Sequence, residues 1–238
     1  MSLLATVRVN SPIAANDGPA PASRRAFRAE SDHSIRMDPR VHWNQVYGNK
    51  RPTEVSWYQP SPESSLGFIR RFTAPSARII DVGGGASQLV DALLDLGYQR
   101  PVVLDISGTA LDHAKARLGS RAVLVDWIEG DVTRNLPLPH VDLWHDRAVL
   151  HFLTEVSDQQ AYARLAGRTV RSGGHAIIGT FAPDGPERCS GLPVRRHDGR
   201  SVAALLGLDF ELLEEEREVH RTPTDAEQRF CWSVFRRQ

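Results

Sequence analysis

A chain of 238 residues with 41% hydrophobic and 24% charged side chains has room for one substantial α/β core plus extensions, and its 29 basic residues balance its 29 acidic ones. Balanced charge offers no global field to nucleic acid or anionic lipid, and no apolar run approaches the roughly 18 residues of a membrane-spanning helix. Cys189 and Cys231 match no metal-ligand or redox spacing, which points to reduced thiols, no metal site and a cytoplasmic protein.

Residues 1–36 mix Ala, Pro, Ser, Asn and Arg without periodicity, a composition that predicts a disordered extension. The first eight residues lack the charged and apolar regions of a secretory signal. Met37 stands just before the first regular segment, so the domain is expected over 37–238. An aromatic helix is expected around 41–47, an extended stretch over 54–58, and a helix capped by Ser61 with Pro62 in its first turn and Leu66, Ile69 and Phe72 on one face.

Strands and helices then alternate, the pattern of a parallel sheet built from crossover units. Strands are predicted over 78–82, 101–105, 123–128, 141–144 and 175–181. The first helix between them carries Leu89, Leu93 and Leu96 and stops at Gly97; the second is capped by Ser107, carries Leu111, Ala114 and Leu118 and ends at Gly119. The prolines at 137 and 139 leave a loop before the fourth strand, a helix over 160–170 precedes the glycine turn Gly173-Gly174, and a turn-rich loop fills 182–198. A short helix with Val202, Leu205 and Leu206 leads to strands over 210–219 and 230–235, whose short connection makes them antiparallel.

The chemistry concentrates at the ends of the early strands. Asp81-Val82-Gly83-Gly84-Gly85-Ala86-Ser87 lies between the first strand and its helix, where glycines admit a ligand to the backbone. Asp105, about 20 residues on, can accept from both hydroxyls of a ribose, and Asp131 can accept from an adenine amino group. A dinucleotide enzyme would want glycine where Gln88 stands, and Asp81 repels a pyrophosphate but attracts an ammonium or sulfonium. S-adenosylmethionine carries both cations, so an NAD-dependent oxidoreductase is disfavoured; a non-catalytic cofactor-binding module stays open.

Over residues 40–238 the sequence resembles the class I, seven-strand methyltransferases dependent on S-adenosyl-L-methionine. The resemblance implies a Rossmann-like α/β fold: a mostly parallel seven-stranded sheet with helices on both faces and a C-terminal antiparallel hairpin. It also implies that Asp81, Gly83, Gly84 and Gly85 face the methionine part, Asp105 and Ile106 the ribose and adenine, and Asp131 and Val132 the adenine. Ser87 replaces the commoner third glycine. The segments Glu54-Val55-Ser56-Trp57-Tyr58, Leu104-Asp105-Ile106-Ser107 and His145-Asp146-Arg147 are similar to the branch containing protein lysine methyltransferases.

On the acceptor side, Asp146 can hold the methionine ammonium or orient an acceptor, and His145 or His151 can take a proton near neutral pH. Trp57 and Tyr58 can form an aromatic wall, and Arg188 can meet an acidic acceptor. The acceptor is open between a small molecule, which is favoured, and a protein lysine. Nucleic acid is not expected, because His145-Asp146-Arg147-Ala148 stands where base-modifying enzymes carry a Pro-Pro-aromatic motif, and neither is a membrane.

Overall fold

The computed structural model describes residues 38–238, so the readings made for residues 1–36 and for the domain start at Met37 lie outside the described residues. Among the described residues no helix is long and apolar enough to cross a membrane.

Among the described residues there are nine strands and six α-helices, in the predicted alternation except for two short strands inside the expected loop 182–198. The strands are β1 (Ile79–Val82), β2 (Val102–Asp105), β3 (Asp126–Glu129), β4 (Val141–Arg147), β5 (Val170–Phe181), β6 (Arg188–Cys189), β7 (Leu192–Pro193), β8 (Phe210–Arg221) and β9 (Glu227–Arg237). The helices are α1 (Pro39–Asn49), α2 (Glu63–Phe72), α3 (Leu89–Asp95), α4 (Gly108–Leu118), α5 (Val156–Thr169) and α6 (Gly199–Leu206). Seven strands form one sheet in the order β3-β2-β1-β4-β5-β9-β8, while β6 and β7 make a small hairpin of their own. The first five strands of that order are parallel, and β9 and β8 add antiparallel at the end. The Rossmann-like α/β fold with its C-terminal hairpin is therefore the fold of this chain.

Each face of the sheet buries one set of alternating side chains. Ile80, Val82, Leu104, Trp144 and Ile178 pack under Tyr162, Leu165 and Ala166 of α5 and Val202 and Leu206 of α6. Ile79, Leu143 and Ile177 face the opposite way, against Phe68 and Ile69 of α2 and Leu89 and Leu93 of α3. Leu111 and Leu118 of α4 close a third cluster with Val90 and Val103. Ser107 caps α4 by accepting from the Ala110 amide at 3.1 Å, and Gly119 ends it at φ +56°.

Several local expectations need correction. Residues 54–58 are not extended: Pro52–Glu54 is a 3₁₀ turn, and the Tyr58 amide then bonds the Val55 carbonyl. Pro52 in its first turn and an Arg51–Glu54 side-chain bond favour that compact geometry. Ser61 does not cap α2; Pro62 occupies the cap position, and the Ser61 hydroxyl bonds Glu63 instead. The buried stripe of α2 runs through Ser65, Phe68 and Ile69, with Leu66 and Phe72 at its margin. Leu96 lies past the end of α3, 38% exposed, and Val90 takes the core position. Strand β3 starts at Asp126, because residues 119–124 form a 3₁₀ turn that leaves Val123 83% exposed. Strand β4 runs three residues further than expected, to Arg147, and β5 begins at Val170, carrying Gly173 and Gly174 as an irregularity in the pairing with β4.

Candidate functional site

The chain runs from β1 outward to β2 and β3 in one direction and to β4 and β5 in the other, so the ends of β1 and β4 flank a crevice. A partly open pocket occupies it. Its floor is Asp81, Val82, Gly83 and Gly84 from the β1 turn together with His145 and Arg147 from β4. Trp57, Tyr58, Gln59 and Pro62 form the opposite wall, with Tyr47 at one end.

The β1 turn is shaped to bring backbone to a ligand. Gly83 sits at φ +69°, and a Cβ there would strike Val149 of the turn after β4. A Cβ on Gly85 would lie 2.5 Å from the Ala110 methyl and 2.6 Å from Asp105 Oδ2, so only glycine fits between these two side chains. Ser87, in place of a third glycine, accepts from the Leu89 amide at 3.0 Å and so starts α3. From α4, Arg117 donates to the carbonyls of Ala86 and Ser87 and to Asp91, which clamps the far end of the turn.

Period-2 alternation decides what each β4 residue can do. His145 and Arg147 share the face of Asp81, whereas Asp146 points to the other side. His145 Nδ1 lies 2.7 Å from Asp81 Oδ1, and its Nε2 lies 3.0 Å from Ser65 Oγ on α2, so both ring nitrogens have partners. That pair leaves Asp81 Oδ2 buried without a protein partner beside Gly84. A buried, half-satisfied carboxylate at a glycine turn is a receptor for a cation, and it fits the ammonium of a methionine moiety.

Asp105 is buried at the end of β2. Its Oδ2 accepts from the Gly85 amide at 3.0 Å and its Oδ1 from the Ser107 amide at 2.8 Å. Burial pushes its pKa up to about 6 against the pull of those amides. Helix α1 lies over this end: Tyr47 packs on Ala86 and Ala110, Asn44 Oδ1 accepts from the Ser107 hydroxyl at 2.7 Å, and Arg40 pairs with Glu129. Ile106 is half-buried and next in line. Asp131 turns on itself, with Oδ1 accepting from the amide and hydroxyl of Thr133, and Val132 joins the core beside Leu104 and Leu136. None of Asp105, Ile106, Asp131 and Val132 lines the pocket.

Asp146 is fully buried on the α5 side. Its oxygens accept from the Val149 and Leu150 amides at 2.8 and 3.1 Å and from the Tyr162 hydroxyl at 2.6 Å. Burial raises its pKa to about 6 against these bonds. It organises the turn that seats Val149 over Gly83, out of the pocket. Because Tyr162 also accepts from Trp144 Nε1 at 2.9 Å, Tyr162→Phe takes one of three donors from Asp146 and leaves the indole N–H without an acceptor. That variant is expected to lose about 1–3 kcal/mol of stability, read as a lower denaturant midpoint at unchanged slope.

His151 is buried in the turn Leu150–Phe152, where Nδ1 accepts from the Phe181 amide at 3.2 Å and burial holds its pKa near 3. It is neutral at pH 7, its lone pair is already used, and it does not line the pocket. Trp57 and Tyr58 do line it, and the Trp57 carbonyl accepts from Arg147 at 3.0 Å. Arg188 stands exposed on the β6–β7 hairpin, outside the pocket lining. Ser65, Arg117 and Arg147 were missed by sequence reasoning. Of the three, only Arg147 stood in a segment singled out from the sequence, His145-Asp146-Arg147, and without a role of its own.

A family model described as a methyltransferase domain matches residues 80–178, which run from β1 into β5. The mouse eEF1A lysine and N-terminal methyltransferase is 29% identical over 148 residues, 59% of this chain and 21% of that protein. The chain thus spans about a fifth of the length of the curated relatives it matches. A SAM-dependent methyltransferase from Anabaena variabilis superposes with a TM-score of 0.68 at 14% identity, covering 85% of this chain and 96% of the other. The N-methyltransferase NodS of Bradyrhizobium japonicum, solved with S-adenosyl-L-homocysteine, gives 0.62 at 15% identity over 82% and 97%. By its sheet order and its glycine turn this chain has the fold of the class I, seven-strand methyltransferases dependent on S-adenosylmethionine, and its residues 80–178 match a methyltransferase domain.

Proposed function

We propose that the chain transfers a methyl group from S-adenosylmethionine to a small-molecule acceptor held between the β1 turn and the Trp57–Tyr58 wall. The observation that carries this reading is the buried Asp81 carboxylate, with one oxygen fixed by His145 and the other without a protein partner, at a pocket also lined by Trp57 and Tyr58. When bound, the cofactor supplies an electrophilic methyl on a sulfonium. The protein's tasks are then to align the acceptor in line with that methyl and to keep water away. Asp81 orients the methionine end, the glycine turn lets it approach the backbone, and Asp105 fixes the ribose once α1 and Tyr47 accommodate the nucleoside. Asp131 and Val132 border the adenine. Asp146 acts through the turn it holds, and His145 acts through Asp81. With His151 neutral and engaged, an acceptor atom that already has a lone pair suits the site best.

A protein lysine acceptor is the second reading, favoured by the name of the relatives that align over 148 residues. We place the reaction in the cytoplasm, since both cysteines are free and buried. Incubating the pure protein with radiolabelled S-adenosylmethionine and cell extract is expected to put label in the small-molecule fraction. Label in protein would favour the lysine reading, and label in no fraction would overturn the enzyme.

A further inference from the structure

Methyl transfer as described gives Arg147 no task, yet its environment is an expensive one to build. The side chain ends β4 on the face of Asp81 and lines the pocket. Its Nη1 donates to the Trp57 carbonyl at 3.0 Å, and its guanidinium lies 4.8 Å from the Phe230 ring centroid. Its Nε and Nη2 are buried and have no protein partner. Burial lowers its pKa to about 10, which still leaves it cationic at neutral pH. Glu218 and Asp81 attract its charge from nearby, but neither is hydrogen-bonded to the guanidinium: Glu218 accepts from Gln59 Nε2 and Trp232 Nε1, and Asp81 is paired with His145. The next residue, Ala148, holds φ +74°, a strained conformation for a residue with a Cβ, at the point where the strand leaves the site.

Two buried guanidinium nitrogens without an acceptor are unfavourable until a ligand supplies one, and their planar pair of N–H groups matches a carboxylate in two parallel hydrogen bonds. The remaining walls, Val55, Trp57, Tyr58 and Pro62, suit an apolar or aromatic body. We propose that Arg147 recognises a carboxylate on the methyl acceptor, so that the substrate is a small organic acid whose apolar body lies along Trp57 and Tyr58. This rests on the methyltransferase reading and sharpens it. A lysine ammonium entering the same space would meet a like charge, so the site selects against a cationic acceptor. One other carboxylate could reach the guanidinium, the one on the cofactor's own methionine end. Arg147 lies against Phe230 of β9, two strands beyond β4 in the sheet order and on the side away from β2 and Asp105.

The test uses the full chain saturated with S-adenosylhomocysteine, titrated in a calorimeter with benzoate and with its neutral isostere benzamide. Wild type is expected to bind benzoate about tenfold or more tightly than benzamide, the worth of one charge-assisted contact. Arg147→Gln is expected to keep S-adenosylhomocysteine affinity within about threefold while losing that preference, and Arg147→Lys to keep part of it. No preference in wild type overturns the proposal whether or not the variants fold. A loss of more than about tenfold in S-adenosylhomocysteine affinity in Arg147→Gln also overturns it, by assigning the guanidinium to the cofactor's carboxylate. Failure of the wild type to bind S-adenosylhomocysteine at all would instead strike the methyltransferase reading, and this proposal with it.

Discussion

Asp105→Ala is expected to weaken S-adenosylhomocysteine binding about a hundredfold and to lower the melting temperature of the ligand-free protein. The binding loss follows from removing an ionised acceptor for two ribose hydroxyls, at about 1.5–3 kcal/mol for a hydrogen bond to a charged group. The stability loss follows from the ligand-free geometry, in which the same carboxylate satisfies the Gly85 and Ser107 amides and so holds the turn and the start of α4. Two buried N–H groups would then lack a partner. Calorimetry and a thermal melt read the two effects separately, and unchanged affinity would remove Asp105 from the site.

The pH dependence gives a second reading of the same group. With a pKa raised to about 6 by burial, folded Asp105 binds its proton more tightly than the unfolded chain does. Its contribution to stability is present below about pH 4 and is lost as pH rises through 6. Affinity runs the other way, because the ionised form accepts the hydroxyls: it should fall as pH drops through 6 and level off above about pH 7. That step should be missing in Asp105→Ala. A wild-type affinity flat from pH 5 to 8 would contradict the assignment.

Asp81→Asn is expected to cost roughly ten- to a hundredfold in S-adenosylhomocysteine affinity, with a small change in melting temperature. An amide keeps the shape and an oxygen for His145, so the Asp81–His145–Ser65 chain survives, while the charge facing the ligand's ammonium is gone. The same affinity in Asp81→Asn and wild type would mean that the free oxygen beside Gly84 serves the fold alone.

The order of strands and helices was legible in the sequence because apolar residues recur with periods that a parallel sheet and its helices impose, and because the 222–225 turn is too short for a crossover. The glycine turn with Asp81 and Asp105 was legible because its glycines and acids sit at strand ends. Boundaries were less so. The apolar run at 123–125 reads equally as strand or turn, and only packing against β2 settles that pairing begins at Asp126. The three residues added to β4 matter most. Once His145, Asp146 and Arg147 are strand residues, alternation sends Asp146 under Tyr162 and leaves Arg147 with Asp81, a distinction that a loop reading hides. Ser65 and Arg117 reach the site across 80 and 30 residues of sequence, and only the folded packing of α2 and α4 brings them there.

This crevice is expected to hold S-adenosylmethionine and not a dinucleotide. Thermal melts of the purified chain with S-adenosylhomocysteine and with NAD, each at saturating concentration, test it directly, since a ligand stabilises the state that binds it. The structure predicts a clear rise with S-adenosylhomocysteine and none with NAD; a rise with NAD and none with S-adenosylhomocysteine would contradict it.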